Sequence, residues 1–408
     1  MNENIFRDFA SRPGNPDYEK HISRETELYS RENDIRSPYE RDYTRILHSL
    51  AYRRLKHKTQ VFFNIANDHI CTRMEHVQHV ESVSCTIAKF LGLNADLTRA
   101  IAMGHDLGHA PFGHEGEIEL TEIRKRYGLD KFWHERNSLN MIDNIELLVD
   151  KSGCYRNLDL TYAVRDGIIS HCGEVTENGI SPRRDAIELS GFTFPGQYQA
   201  FTWEGCVVKI SDKIAYLGRD IEDAIRMNFL SGSDLRELRR IARHHGVDEI
   251  NTTVVIHSFI ISICKNSDPD NGIRLSPERC DMLNEIRAFN LEKIYLNKKF
   301  DVYKKYVSLM IRSIFDFLID AYDGERTPEK LQKKASICPM MVRDLTRHLY
   351  IYSGVSPDPE ILRSDKYLNK KIYGSFENEA VYAQAILDYI SGMTDSYAIS
   401  AFNELITF

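Results

Sequence analysis

Residues 73–117 read RMEHVQHVESVSCTIAKFLGLNADLTRAIAMGHDLGHAPFGHEGE. Between 75 and 91 the apolar positions Val80, Val83, Ile87, Phe90 and Leu91 recur at spacings of three, four, three and one, which gathers them on one helical face. Gly92 follows, the residue type that closes a helix in the left-handed conformation. Asn94 and Asp96 can then cap a second helix running through Leu97, Ile101 and Met103. The same stretch is dense in imidazole: His69, His76, His79, His105, His109 and His114 fall within 46 residues, out of fifteen histidines in the chain. Imidazole beside carboxylate is the donor chemistry of first-row divalent metals. Adjacent helical residues point about 100° apart, so His105 and Asp106 can straddle one ion at a helix edge or end. With the two helices antiparallel, His76 supplies a third position. His69 and His79 are read as structural.

A fourth ligand has to come from elsewhere. Asp212 interrupts the apolar helix VVKISDKIAYLGRDIEDAI, and a carboxylate in such surroundings wants a cationic partner. Arg219 could serve, but so could a metal, and the His-Asp centre lacks an anionic ligand. The turn Ala110-Pro111-Phe112-Gly113 ends the second helix and delivers His114 and Glu117 to the start of a third, where free N–H groups favour a phosphate.

The rest of the chain extends this helical reading. Periodicity predicts helices over 135–149, 160–170, 204–229, 234–245, 276–295, 300–322, 340–352 and 378–393. Val254–Cys264 is read as a buried helix, since a membrane span needs about 20 apolar residues. Segment 191–196 is a loop or a short extended piece. Stretch 172–202 is a long loop, and 353–359 is a second loose segment. The fold class is therefore mainly α.

The N-terminus has no apolar core of a secretory signal, and the eight scattered cysteines contain no CxxC pair. Both features argue against a disulfide framework or a zinc ribbon and for the reducing cytoplasm, with no membrane partner. The net charge of −7 excludes a global electrostatic trap for nucleic acid. A local basic cluster, Arg53 to Lys58, is a candidate contact for phosphate or single-stranded nucleic acid. A second cluster, Arg236, Arg239, Arg240 and Arg243, reads as a solvated helix face.

The order His76 … His105-Asp106 … Asp212 resembles the signature of the HD phosphohydrolase superfamily. A longer match is sharper. PYERDYTRILHSLAYRRLKHKTQVF at 38–62, HDLGHAPFGHEGE at 105–117, DGIISHCGE at 166–174, SDKIAYLGRDIEDAI at 211–225 and DYISGMTDSYAISAFNEL at 388–405 follow in the order of the deoxyguanosine triphosphate triphosphohydrolases. The resemblance implies an HD-domain helical fold with an elaborated helical C-terminal lobe. Its segments are an N-terminal extension at 1–37, a catalytic core at 38–230 and a helical region at 231–408 that takes part in oligomerisation. It implies metal ligation by His76, His105, Asp106 and Asp212, with Mn first among Mn, Fe, Co, Ni and Zn, and Mg accompanying the substrate phosphates.

It further implies cleavage of a deoxynucleoside triphosphate (dNTP), dGTP or any of the four, to deoxynucleoside and inorganic triphosphate. His114 is then the catalytic histidine, oriented by Glu117. His134, His109 and Arg73 face the phosphates, and Gln60 faces the deoxyribose. Tyr216 crowds out a 2′-hydroxyl, and Asp220 binds the 3′-hydroxyl. Lys213 is a further phosphate candidate, although many bacterial members carry an acidic residue there. WHER around His134 and Ala110 for a common proline are other departures, and they weaken strict dGTP preference. Relatives form hexamers or tetramers, some with nucleotide effectors. Competing readings are another HD phosphodiesterase or 5′-nucleotidase, a di-iron oxygenase using His109 and His134, and a nucleotide-sensing module without catalysis.

Overall fold

The computed structural model describes residues 3–26, 33–63, 69–172, 178–355 and 366–407. The end of the DGIISHCGE segment, part of the loop at 172–202 and the end of the loose stretch at 353–359 lie outside them. The architecture is mainly α, with one small antiparallel hairpin, Leu147–Val149 against Tyr155–Asn157.

The opening pair of helices forms as its residues dictate. Arg73–Leu91 starts on a capping box in which Thr72 Oγ1 accepts from Glu75 N–H and the Glu75 carboxylate accepts from Thr72 N–H. Such a cap contributes about 1 kcal/mol. The helix stops at Gly92, with φ 84°. A side chain there would also strike the Asn4 backbone at 2.8 Å, so two constraints select glycine. Asn94 caps Ala95–Gly104, which packs against the first helix.

Helices Tyr162–Ser170, Trp203–Arg226, Gly232–His244, Pro277–Asn290, Asp301–Ile319, Pro339–Tyr352 and Glu379–Ser391 lie where periodicity puts them. Two expectations are corrected. The segment 135–149 is helical only as His134–Asn140 and a wider turn at Met141–Ile145, and then becomes a strand. Its β-branched and aliphatic tail pairs across the hairpin instead of continuing the helix. The helix Thr252–Asn266 is half-buried, because only Val255, Phe259 and residues 262–264 turn into the core while Ile261 stays exposed. Segment 191–196 is loop beyond the short turn Leu189–Gly191. Among the described residues no helix is long and apolar enough to cross a membrane.

Three buried apolar clusters hold the elements. One joins residues of 110–145 to the helices between Asp301 and Ile406. A second packs Arg73–Leu91 and Trp203–Arg226 against Thr252–Asn266 and Pro277–Asn290. The third unites Pro38–His48, Ala95–Gly104 and Tyr162–Ser170. The helix Gly113–Arg126, which carries His114 and Glu117, is thus fastened from the C-terminal side, against Asp301–Ile319 and Glu379–Ser391.

Candidate active site

His105 closes the helix Ala95–Gly104, and Asp106 stands in the turn beyond it, so the pair sits at a helix end. His105 Nδ1–H donates to the Ala102 carbonyl at 2.7 Å, which leaves Nε2 as a bare lone pair. That atom is buried and has no hydrogen-bond partner. It lies 3.5 Å from Asp106 Oδ1 and 3.8 Å from Asp212 Oδ1. His76 Nε2 is 2.9 Å from Asp212 Oδ1 and 4.0 Å from Asp106 Oδ2. Metal–ligand bonds of about 2.0–2.2 Å put neighbouring ligand atoms at this kind of separation. The cluster of His76, His105, Asp106 and Asp212, with one orphaned imidazole nitrogen aimed at carboxylates, fits a divalent ion. Arg219 pairs with Glu222 and Asp223 instead of Asp212.

Charge reinforces the fit. Burial opposes ionisation of Asp106, but His109, His105 and Arg73 outweigh it and hold the carboxyl well below its usual range. Arg73 Nη1 donates to Asp106 Oδ2 at 2.9 Å, with both side chains nearly inaccessible. At Asp212, His76 overcomes burial in the same way and lowers the carboxyl.

Behind this cluster runs a chain of rings and one carboxylate. His109 Nε2 is 3.0 Å from Asp106 Oδ1, and His109 Nδ1 is 2.5 Å from Glu117 Oε1. The His109 and His134 rings stack at 3.7 Å. His134 Nδ1 meets Glu117 at 3.2 Å, and its Nε2 meets Glu135 at 3.2 Å. Burial alone would lower His134, but Glu135 and Glu117 push it up to about 10. Burial, with Arg73 adding to it, lowers His109 to about 4. Within the stacked pair, His134 therefore carries the proton. His114 is largely exposed, 3.8 Å from Glu117, so that carboxylate leans toward His109 and His134.

A cavity of about 740 Å³ opens onto both groups. Of the candidate ligands, catalytic residues and substrate contacts that the family resemblance implies, all but the deeper His105 and Glu117 line it: His76, Asp106 and Asp212, His109, His114 and His134, Gln60, Arg73, Lys213, Tyr216 and Asp220. Gln60 Oε1 is buried there without a hydrogen-bond partner. Burial lowers Lys213 to about 8. Burial also raises Asp220 to about 7, and Tyr295 O–H donates to its Oδ2 at 2.5 Å.

Because the folded Asp220 binds its proton more tightly than the unfolded chain does, its contribution to stability falls as pH rises from about 4 to 7. Asp220→Asn should abolish that fall, gaining up to about 4 kcal/mol on wild type between pH 4 and pH 8. Urea unfolding at the two pH values reads this directly.

Several residues escaped the sequence reading. His171 points its ring at His105, 4.9 Å between centroids, and donates Nδ1–H to the Ile168 carbonyl at 2.6 Å. Its place in the quoted DGIISHCGE segment was the available signal. Glu135 sits beside His134 in sequence. Tyr295, Phe300 and Tyr303 reach the cavity from the C-terminal region, where no motif marks them. Lys58, in the basic cluster taken as a phosphate contact, is buried. Its Nζ donates to the His109 and Ser391 carbonyls, and burial lowers it to about 7.

The last quoted motif also acquires a role here. Asp395 accepts from Thr59 N–H at 2.9 Å, Thr59 O–H at 2.5 Å and Phe112 N–H at 2.8 Å. Phe112 has φ 64°, left-handed for a bulky residue, a strain on the order of 1–3 kcal/mol. The Asp395 carboxylate thus holds the strained entry to the His114 helix and Thr59, the residue before Gln60. Asp395→Ala should cost about 1–3 kcal/mol of stability by stranding these donors. Metal content should stay unchanged, and urea unfolding with elemental analysis separates the two.

Comparison with known proteins agrees with this layout. The HD domain family model matches residues 73–217, and the phosphohydrolase-associated domain model matches residues 340–404. The deoxyguanosinetriphosphate triphosphohydrolase-like protein of Caldanaerobacter subterraneus subsp. tengcongensis is 34% identical over 389 residues, covering 94% of this chain and 90% of that one. Proteins of the same description from Clostridium tetani and Desulfatibacillum aliphaticivorans are each 31% identical, covering 92% and 91% of this chain and 87% and 88% of theirs. With its metal-fitting His/Asp cluster spanning the matched region from His76 to Asp212, the chain belongs to the HD-domain phosphohydrolases, in the family of deoxyguanosinetriphosphate triphosphohydrolase-like proteins.

Proposed function

We propose that the chain hydrolyses deoxynucleoside triphosphates to deoxynucleoside and inorganic triphosphate. One observation carries this reading: a single cavity brings the four-donor cluster, the His109–Glu117–His134 chain and the Tyr216–Asp220 pair within reach of one ligand. Its volume suits a nucleotide. A divalent transition metal, with Mn favoured by family likeness, would be held by His76, His105, Asp106 and Asp212. When bound it would make water more acidic and neutralise a phosphate oxygen.

The chain's own groups do the rest. Arg73 and the cationic His134 face the phosphates and balance their charge. Tyr216 and Asp220 fix the sugar. Water attacks the α-phosphorus, forming one O–P bond while the bond to the 5′-oxygen breaks. That oxygen leaves as an alcohol by taking a proton from His114, whose exposure lets it swing over the reacting bond while Glu117 anchors its helix turn; the water keeps one proton on the new P–O bond and gives up the other, which returns to His114 and restores it. Both ring nitrogens of His134 face carboxylates, which favour its protonated form as a phosphate contact.

Metal-loaded protein incubated with the four dNTPs, GTP and ATP tests the reading by product chromatography. Deoxynucleoside plus intact triphosphate is expected. Monophosphate plus pyrophosphate, or no turnover of any dNTP, would sink it. If Tyr216 excludes the 2′-hydroxyl, Tyr216→Ala should raise GTP turnover relative to dGTP by about tenfold. An unchanged ratio would remove Tyr216 from sugar selection.

A further inference from the structure

The helix Gly232–His244 ends on two consecutive histidines, His244 and His245. Gly246 then reverses the chain at φ 67°. Its N–H donates to the Arg243 carbonyl at 3.2 Å, and Val247 N–H donates to the Ala242 carbonyl at 3.0 Å, the paired bonds of a Schellman close. That close fixes the backbone that carries both rings, whose centroids lie 4.6 Å apart. The helix Pro277–Asn290 packs alongside, with Leu238, Ile241, Met282 and Ile286 in one buried cluster. Arg279 adds a clasp between the two, donating to the His245 carbonyl at 3.3 Å.

Glu285, on that neighbouring helix, turns one oxygen to both rings. Its Oε2 is 2.8 Å from His245 Nε2 and 3.2 Å from His244 Nδ1. Bonds of about 2.0–2.2 Å to one ion impose this kind of separation, and His76, His105 and Asp212 show it in the active site. Arg240 donates to the other oxygen, Oε1, at 3.2 Å, so it orients the carboxylate and leaves Oε2 to the histidines. The His245 side chain is largely covered, whereas that of His244 is exposed, which leaves an entry path and a position for water. The negative end of the helix dipole favours a cation at the same place. None of the three residues lines the active-site cavity.

Two imidazoles and a carboxylate suit zinc, nickel or copper better than magnesium or calcium. We propose that His244, His245 and Glu285 form a second metal site, separate from the active site, for one divalent ion of this imidazole-preferring class. The ion clamps Gly232–His244 to Pro277–Asn290. The second of these helices runs on into Leu291–Tyr295, which supplies Leu291 and Tyr295 to the active-site wall. The clamp therefore fastens an element that the active site shares.

Zinc titration of the metal-stripped full chain, read by competition with a chromophoric chelator, tests this without relying on turnover. Wild type should take two equivalents and Asp106→Asn one. Adding His244→Ala to Asp106→Asn should weaken that remaining equivalent by about 10- to 100-fold or more, since a direct ligand matters at least as much as a group supporting one. His244 is exposed, so its loss does not threaten folding, and Glu285→Gln gives an independent removal with the same expected effect. Arg240→Ala, which frees Oε1 for the ion, should tighten the site about two- to fivefold. Zinc should raise the melting temperature of Asp106→Asn, and His244→Ala should cancel that rise. A second equivalent that survives both His244→Ala and Glu285→Gln, or a single wild-type equivalent that Asp106→Asn abolishes, overturns the proposal. Two equivalents in Asp106→Asn, one of them lost with His244, would count against the active-site cluster and uphold this site.

Discussion

Asp106→Asn is expected to strip the purified chain of the divalent metal proposed for this cluster and to lower the proposed turnover by on the order of 10³-fold or more. The substitution preserves shape and removes the charge on which three neighbours depend. Arg73 sits 2.9 Å away, His109 3.0 Å and His105 3.5 Å, all of them buried. Asp106→Ala goes further, because it leaves the Arg73 guanidinium buried without its partner. Breaking a buried pair from one side costs about 3–5 kcal/mol. Elemental analysis should therefore find both variants metal-poor, while urea unfolding should find only the alanine variant markedly weakened. Wild-type metal content in Asp106→Asn would remove this cluster as the metal centre.

Glu117→Gln should have the second largest effect, a drop in kcat of about 10²–10⁴-fold, the range for loss of acid–base support. Glu117 reaches His109, His134 and His114 at 2.5, 3.2 and 3.8 Å and touches none of the four proposed metal ligands. Metal content should thus be untouched, which distinguishes this variant from Asp106→Asn. Its pH signature is equally specific. His134 is raised to about 10, so its stabilising share is complete below the ordinary histidine range and disappears as pH climbs through about 10. Without the Glu117 charge the folded value drops, and alkaline destabilisation should set in at lower pH. Thermal unfolding between pH 7 and 10 records this, and superimposable profiles would mean that Glu117 does not hold the His134 proton.

The helices and the metal cluster were legible because their signals are local. Val80, Val83 and Ile87 state a helical period, Gly92 states its end, and His105-Asp106 are adjacent in sequence. Asp212 was reachable by chemistry, since a carboxylate in an apolar helix needs a partner, and His76 supplies it at 2.9 Å. What the sequence concealed depends on distant segments meeting. Nothing around Tyr295 or Tyr303 announces that they face a cavity built by residues between Gln60 and Asp220. Lys58 looks like one more surface lysine in a basic run until two carbonyls and burial claim it. The strand at 147–149 follows from pairing with Tyr155–Asn157, a tertiary fact that helical periodicity cannot contain.

Gly108 gives a measure of how tightly these segments meet. A side chain there would fall 2.0 Å from Ser138 N and 2.4 Å from the Asn137 carbonyl carbon, so the His105–His109 turn lies directly against the His134 helix. Asn137 ties that contact to Ser391, Lys58 ties His109 to Ser391, and Asp395 ties Thr59 to Phe112. The segment 73–217, which bears every proposed ligand, therefore borrows its shape from the final twenty residues. Excised as a fragment, it would keep the right side chains in the right order and still lack a working centre. A stop codon near position 390 should be as damaging as the loss of a ligand.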